Sequence, residues 1–99
     1  MKRIFTVIDL RVNHDKEIPL RADVRLENHR WEATSSRNDI LSVSLKPGMQ
    51  PGVKYPNHNA TFVCRGLRAG QATVTFVYRL PNDTVELQKR RVIFNVLNK

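Results

Sequence analysis

Apolar and polar residues alternate along several short segments of this chain, and turn residues separate those segments. Ile18, Leu20, Ala22, Val24 and Leu26 recur at every second position, with mostly polar residues between them. Residues 4–12 show the same alternation. A period of two places successive side chains on opposite faces of a strand, so the pattern predicts two half-buried strands, over residues 4–12 and 18–26. Residues 13–16 are predicted to form a polar turn between them.

Five further segments continue this organisation, and no segment keeps the helical period of 3.6 residues. Short strands with turn signals between them predict an all-β sandwich or a small barrel. Trp31, predicted to lie in the core on the third strand, favours an immunoglobulin-like β-sandwich of about seven antiparallel strands. The five predicted strands cover residues 30–34, 40–45, 60–65, 71–79 and 90–97.

Two connections carry specific expectations. Residues 46–59 contain three prolines and two glycines. They form a loop near the upper length for a compact domain, which usually indicates function or mobility. The link between the strands at 60–65 and 71–79 contains Gly66 and Gly70, two residues that suit positive φ. Connections of this kind are common sites of binding, because loops vary while the sandwich stays rigid.

Length and composition narrow the class of protein. Ninety-nine residues correspond to one domain, so residues 1–99 are predicted to be a single Ig-like domain. No signal peptide or membrane segment is visible, which leaves an intracellular protein or an excised domain of a surface or secreted protein. The single cysteine, Cys64, excludes an internal disulfide. Seventeen basic residues against nine acidic residues give a net charge of +8, which favours an acidic partner or a polyanion.

Two stretches resemble bacterial Ig-like domains. Trp31–Val43 resembles their passage in which a tryptophan is followed by a Ser-Ser pair and an L-x-V strand. Cys64–Phe76 resembles their "G-L-x-A-G-x-A-T-V-T" passage. The resemblance implies the same sandwich and a role as an adhesive, decorating or spacer module.

The same scaffold also resembles the chagasin-like inhibitors of papain-type cysteine proteases, through Trp31, residues 65–76 and the ending Tyr78–Pro81. In that family three loops at one end of the sandwich enter the protease cleft. The resemblance implies that Asn28–Arg30, Lys46–Asn59 and Arg79–Asn82 would be those loops. Each departs from the family motif: the first is short, the second has only Gly48 and Gly52, and Leu80 separates Arg79 from Pro81 where Asn82 replaces a tryptophan.

The candidate partner-binding residues therefore fall in three connections, and the candidate basic patch falls on later strands. The loop candidates are Asn28, His29, Arg30, Met49, Val53, Lys54, Tyr55, Arg79, Pro81 and Asn82. The basic candidates are Arg65, Arg68, Lys89, Arg90 and Arg91, which could follow a line of phosphates or form an ordinary solvated face.

No catalytic, cofactor-binding or metal-binding residues are predicted. Cys64 has neither a base oriented toward it nor a neighbour that would lower its pKa, and His14, His29 and His58 lack metal-ligand spacing. The leading hypothesis is a non-enzymatic Ig-like interaction module that docks on a protein through loops or edge strands. The first alternative is a chagasin-like inhibitor of cysteine proteases, and the second is a basic β domain that binds nucleic acid or another polyanion.

Overall fold

The computed structural model describes residues 6–23, 28–46, 59–81 and 84–98, which form seven strands and no helix. No helix in these ranges could therefore cross a membrane. The strands are β1 (Thr6–Arg11), β2 (Asp15–Arg21), β3 (Arg30–Ser35), β4 (Leu41–Leu45), β5 (Asn59–Gly66), β6 (Gly70–Arg79) and β7 (Gln88–Leu97). They form a four-stranded sheet in the order β1-β7-β6-β3 and a three-stranded sheet in the order β2-β5-β4. The all-β immunoglobulin-like sandwich predicted from the sequence is confirmed.

One pairing differs in direction from the antiparallel arrangement expected. β1 runs parallel to β7, with Thr6 opposite Val92 and Arg11 opposite Leu97, whereas every other named pairing is antiparallel. Val12 then bridges to Gly66 of the other sheet before the chain turns into β2. An alternation of apolar and polar residues is the same for both strand directions, so the sequence pattern does not distinguish them.

The second strand begins earlier than predicted. Asp15 and Lys16, expected in a turn, pair with Arg65 and Cys64 of β5. β2 lies at the edge of its sheet, where charged side chains face water and discourage pairing with another chain. A charged start is therefore compatible with a strand here, and the turn is limited to Asn13 and His14, with Asn13 at a φ of 68°.

The core consists of the alternating inward-facing residues of both sheets. Trp31 is 4% exposed, which confirms its predicted place in the core, and its ring lies 5.4 Å from that of Tyr78. Phe62 and Phe76 meet across the two sheets at 5.5 Å. Tilted ring pairs at such distances add to the stability gained from buried area. The sandwich therefore forms a rigid base for its loops.

The two glycines of the β5–β6 connection serve different purposes. Gly70 has a φ of 150°, and a Cβ there would lie 2.6 Å from Cδ1 of Ile40, so the prediction of positive φ is confirmed at this position. It is wrong for Gly66, which is a residue of β5 without positive φ. Gly66 is required for space, because a Cβ would lie 2.9 Å from the carbonyl oxygen of Arg11.

Candidate functional site at the loop end

Three of the connections between strands leave the sandwich at the same end, which we name the loop end. We name them the first loop (residues 22–29, between β2 and β3), the second loop (46–58, between β4 and β5) and the third loop (80–87, between β6 and β7). Arg21 at the end of β2 pairs with Asn59 at the start of β5, and Arg30 at the start of β3 pairs with Arg79 at the end of β6. The registers thus bring the bases of all three loops together, as the resemblance to the inhibitors implied.

Gln88 joins the two sheets at this end. Its side-chain Oε1 accepts a hydrogen bond from the backbone N–H of Asp23 at 2.7 Å, and its Nε2 donates to the carbonyl oxygen of Arg21 at 3.3 Å. Gln88 is the first residue of β7, whereas Arg21 ends β2. These hydrogen bonds connect the base of the first loop to the base of the third.

The described candidates of the first loop lie where the chain enters β3. Asn28 is exposed and has a φ of 67°, a left-handed conformation that asparagine tolerates better than most residues. The ring of His29 is half-buried and lies 5.7 Å from the ring of Tyr78, which is fully buried. Arg30 is exposed on the outer face, with its Nε 4.0 Å from a carboxylate oxygen of Glu32. Packing against the core therefore fixes this side of the first loop.

The third loop combines a fixed base with exposed apolar side chains. Nε of Arg79 donates to Oε1 of Glu32 at 2.8 Å, and Nη2 lies 2.8 Å from the same oxygen in an ion pair, which holds the guanidinium against β3. Pro81 is half-buried. Val85 and Leu87 are 60% and 43% exposed, respectively. Two exposed aliphatic side chains, two residues apart in one loop, offer apolar area for contact with another macromolecule.

Five of the predicted loop residues lie outside the described residues: Met49, Val53, Lys54, Tyr55 and Asn82. The second loop is therefore located by its ends. The backbone N–H of Lys46 donates to the carbonyl oxygen of Thr61 at 2.8 Å, and its Nζ lies 3.1 Å from a carboxylate oxygen of Glu17. Asn59 begins β5 opposite Arg21. Both ends of the second loop thus lie at the loop end.

The structure does not bring the candidate basic residues into one patch. Arg65 lies on β5 of the three-stranded sheet, and Arg68 lies in the turn at the opposite end of the sandwich; they form ion pairs of 3.3 Å with Asp15 and 3.2 Å with Asp39. Lys89 lies on β7 and forms an ion pair of 3.1 Å with Glu86. Arg90 and Arg91 follow it on the same strand with exposed side chains. The strand order therefore separates Arg65 and Arg68 from the three basic residues 89–91 of β7. The number of charges along the sequence does not reveal this separation.

The described residues form open depressions on the surface of the sandwich. One, of about 480 Å³, is on the four-stranded sheet and is lined by Thr34, Ser36, Thr73, Thr75, Arg91 and Ile93. Another, of about 390 Å³, is at the loop end between β2 and β5 and is lined by Pro19, Leu20, Arg21, Asn59, Ala60 and Thr61. Both are open to solvent, unlike the enclosed pockets that usually hold small-molecule cofactors.

Cys64 and the acidic residues show no arrangement for chemistry within the described ranges. The side chain of Cys64 is fully buried, and this burial raises the pKa of the thiol to about 12. A thiol with a raised pKa is a poor nucleophile, because the thiolate is the reactive form. The described residues contain no group of three or more His, Cys, Asp or Glu side chains that could hold a metal ion.

Four residues of the loop end were not among the sequence candidates: Asp23, Val85, Leu87 and Gln88. Gln88 was missed because the last strand was predicted to begin at Arg90. An apolar Val-x-Leu pair at residues 85–87, between a turn and a strand, is a signal that could have indicated an exposed apolar site.

No protein-family model and no curated protein sequence matches this chain. Solved structures do. The cysteine protease inhibitor EhICP2 from Entamoeba histolytica is similar with a TM-score of 0.68 and 16% identity, over 94% of this chain and 86% of that one. Amebosin is similar with a TM-score of 0.69 and 20% identity, over 93% of this chain and 89% of that one.

A third similar structure contains domains 4 and 5 of the S-layer protein SbsC, with a TM-score of 0.66 and 14% identity. The match covers 93% of this chain but 47% of that structure, so this chain spans about half its length. At these identities the likenesses establish a shared fold. The sequence resembles two families, and each has a counterpart among these structures. EhICP2 is a cysteine protease inhibitor, and the S-layer protein supplies Ig-like domains.

Proposed function

We propose that this chain is a non-enzymatic binding domain whose loop end enters the substrate cleft of a papain-type cysteine protease. The observation that carries the proposal is the meeting of three loop bases at one end, beside the exposed side chains of Val85 and Leu87. The likeness to EhICP2, over most of both chains, supports a protease as the partner. This narrows the broader hypothesis of an Ig-like interaction module to one class of partner.

The physical basis is that contacts within the described residues hold the bases of the loops on the sandwich. The ion pair between Arg79 and Glu32 fixes the start of the third loop, and contact with Tyr78 fixes the end of the first. Loops that are ordered before binding lose less conformational entropy in the complex, which strengthens binding. Inhibition needs no reactive group in the inhibitor, since occupancy of the cleft alone excludes the substrate.

The departures from the chagasin-like motif determine which contacts are available. Asn82 stands where the family has a tryptophan, so the large aromatic contact of the third loop is missing. In this proposal Val85 and Leu87 supply the apolar area instead. Two aliphatic side chains bury less surface than a tryptophan, so we expect weaker inhibition than a complete motif would give.

Titration into papain tests the proposal. Hydrolysis of a small fluorogenic peptide by papain is measured against increasing concentrations of this protein, with trypsin as the control protease. We expect competitive inhibition of papain at about micromolar concentrations or below, which corresponds to roughly 8 kcal/mol of binding free energy. Trypsin should be unaffected, and mass spectrometry should show an intact chain. Full papain activity at about 10 μM would reject the proposal.

The likeness to SbsC supports a second candidate function, a spacer or adhesive domain that contacts neighbouring domains. Such a domain would leave papain fully active, and its contacts would not be confined to the loop end. The papain titration therefore also separates the two candidates.

A further inference from the structure

Gln88 links two loops that belong to different sheets. Its carboxamide accepts from the N–H of Asp23 at 2.7 Å and donates to the carbonyl oxygen of Arg21 at 3.3 Å. We propose that Gln88 is a positioning residue that holds the base of the first loop, at Arg21 and Asp23, against the base of the third loop, so that both bases are placed for entry into one cleft. This inference rests on the proposed function, because it concerns the same binding end.

Other contacts hold the first and third loops on one flank, and Gln88 holds them on the other. On one flank, both loops are already fixed to Tyr78: the ring of His29 packs on its ring, and the N–H of Leu87 donates to its carbonyl oxygen at 2.9 Å. On the other flank, the first loop leaves β2, which belongs to the three-stranded sheet. Gln88 ties that departure point to the four-stranded sheet. With contacts on both flanks, movement of the base of the first loop is coupled to movement of the base of the third loop.

The chemistry of the contact favours glutamine over related side chains. The site needs an acceptor for one backbone N–H and a donor for one backbone carbonyl oxygen, and a carboxamide provides both. Glutamate retains the acceptor and loses the donor. Leucine has a similar size and loses both. The series Gln, Glu, Leu therefore removes the contacts stepwise without a large change in side-chain volume.

The experiment compares Gln88→Leu, Gln88→Glu and the matched control Gln71→Leu in the full chain. Gln71 is also a surface glutamine on the four-stranded sheet, where its Nε2 donates to Oδ1 of Asn95 at 3.0 Å, far from the loop end. Three quantities are measured: the dissociation rate from papain, the amide exchange rate of Asp23, and the melting temperature. The melting temperature shows whether the two leucine variants are equally folded.

For Gln88→Leu we expect about tenfold faster dissociation from papain and faster exchange at Asp23, consistent with the loss of two modest hydrogen bonds. Gln88→Glu should also dissociate faster than the wild type, because a carboxylate oxygen would then face the carbonyl oxygen of Arg21. Gln71→Leu should match the wild type in dissociation rate while losing a similar amount of thermal stability. Unchanged dissociation in Gln88→Leu, or an equal change in Gln71→Leu, would overturn the inference.

Failure of the proposed function can be distinguished from failure of the positioning role of Gln88. If the wild type does not bind papain, the proposed function is wrong, and the exchange rate of Asp23 together with the amide chemical shifts of Asn28 and His29 decides the positioning role. Shifts that move in Gln88→Leu and not in Gln71→Leu would support it. Identical spectra at these residues in the wild type and Gln88→Leu would overturn it.

Discussion

At the scale of single residues, the buried thiol of Cys64 couples stability to pH. Burial raises its pKa to about 12 in the folded protein, whereas an unfolded chain has a cysteine pKa near its ordinary value of about 8.5. Below the lower pKa the thiol is neutral in both states. As the pH rises above it, the unfolded chain loses the proton first, so the folded state is progressively destabilised up to about pH 12.

Cys64→Ala provides the comparison for this prediction. Between pH 8 and pH 10 the wild type should lose about 1–2 kcal/mol of unfolding free energy more than the variant. The measurement is urea denaturation of both proteins at the two pH values, with reductant present. The difference between two proteins cancels the titration of lysines and tyrosines, which both share. A constant difference at the two pH values would show that Cys64 is not buried as described.

At the scale of elements, the third loop is expected to supply the apolar part of the binding surface. Val85→Asp should weaken inhibition of papain at least tenfold, because it places a charge where the proposal buries an aliphatic side chain. Val7→Asp is the matched control: Val7 is 55% exposed against 60% for Val85, but lies on the outer face of β1 opposite Ile93. Both variants should melt close to the wild type, since exposed substitutions rarely change stability by much.

The inhibition constants of these two variants decide where the partner binds. A loss confined to Val85→Asp supports the third loop as a contact. Equal constants for Val85→Asp and the wild type would remove the third loop from the interface.

The sequence predicts those features of the strands that depend on burial of one face, but not those that depend on strand order. The alternation around Ile18 and Leu20 and the single Trp31 predicted the sandwich and its core, because both follow from burial on one face of a strand. The parallel direction of β1 was not predictable from alternation. The role of Gln88 was not predictable either: its hydrogen bonds join residues 65 and 67 positions apart in the chain. Such contacts depend on strand order and register.

At the scale of the whole molecule, the described basic residues that form ion pairs lie on both sheets and at both ends of the sandwich. Arg65, Arg68 and Lys89 form ion pairs on three different parts of the surface. Exposed pairs of this kind contribute little to stability, but they reduce the local excess of positive charge. This distribution favours general electrostatic attraction to acidic partners over a continuous track for phosphates.

Both ends of the sandwich expose apolar side chains: Val85 and Leu87 are 60% and 43% exposed at the loop end, and Leu67 and Leu97 are 42% and 44% exposed at the opposite end. The ends differ in how their connections are held, since Gln88 links the bases of two loops at the loop end. At the opposite end, Asp39 lies between Arg37 and Arg68 at 2.8 Å and 3.2 Å, and the backbone N–H of Leu67 is bonded to the carbonyl oxygen of Ile40. Short turns connect the strands at the opposite end, and we expect this end to stay free in a complex.

Amide hydrogen exchange of the labelled protein, with and without excess papain whose catalytic thiol is blocked by a methylthio group, shows which end of the sandwich binds the protease. We expect slower exchange in the complex at the loop end, at Asp23, His29 and Leu87, with no change at Ile40 and Leu67. Slower exchange at the opposite end, or the same exchange rates with and without papain, would contradict the claim that the loop end is the binding surface.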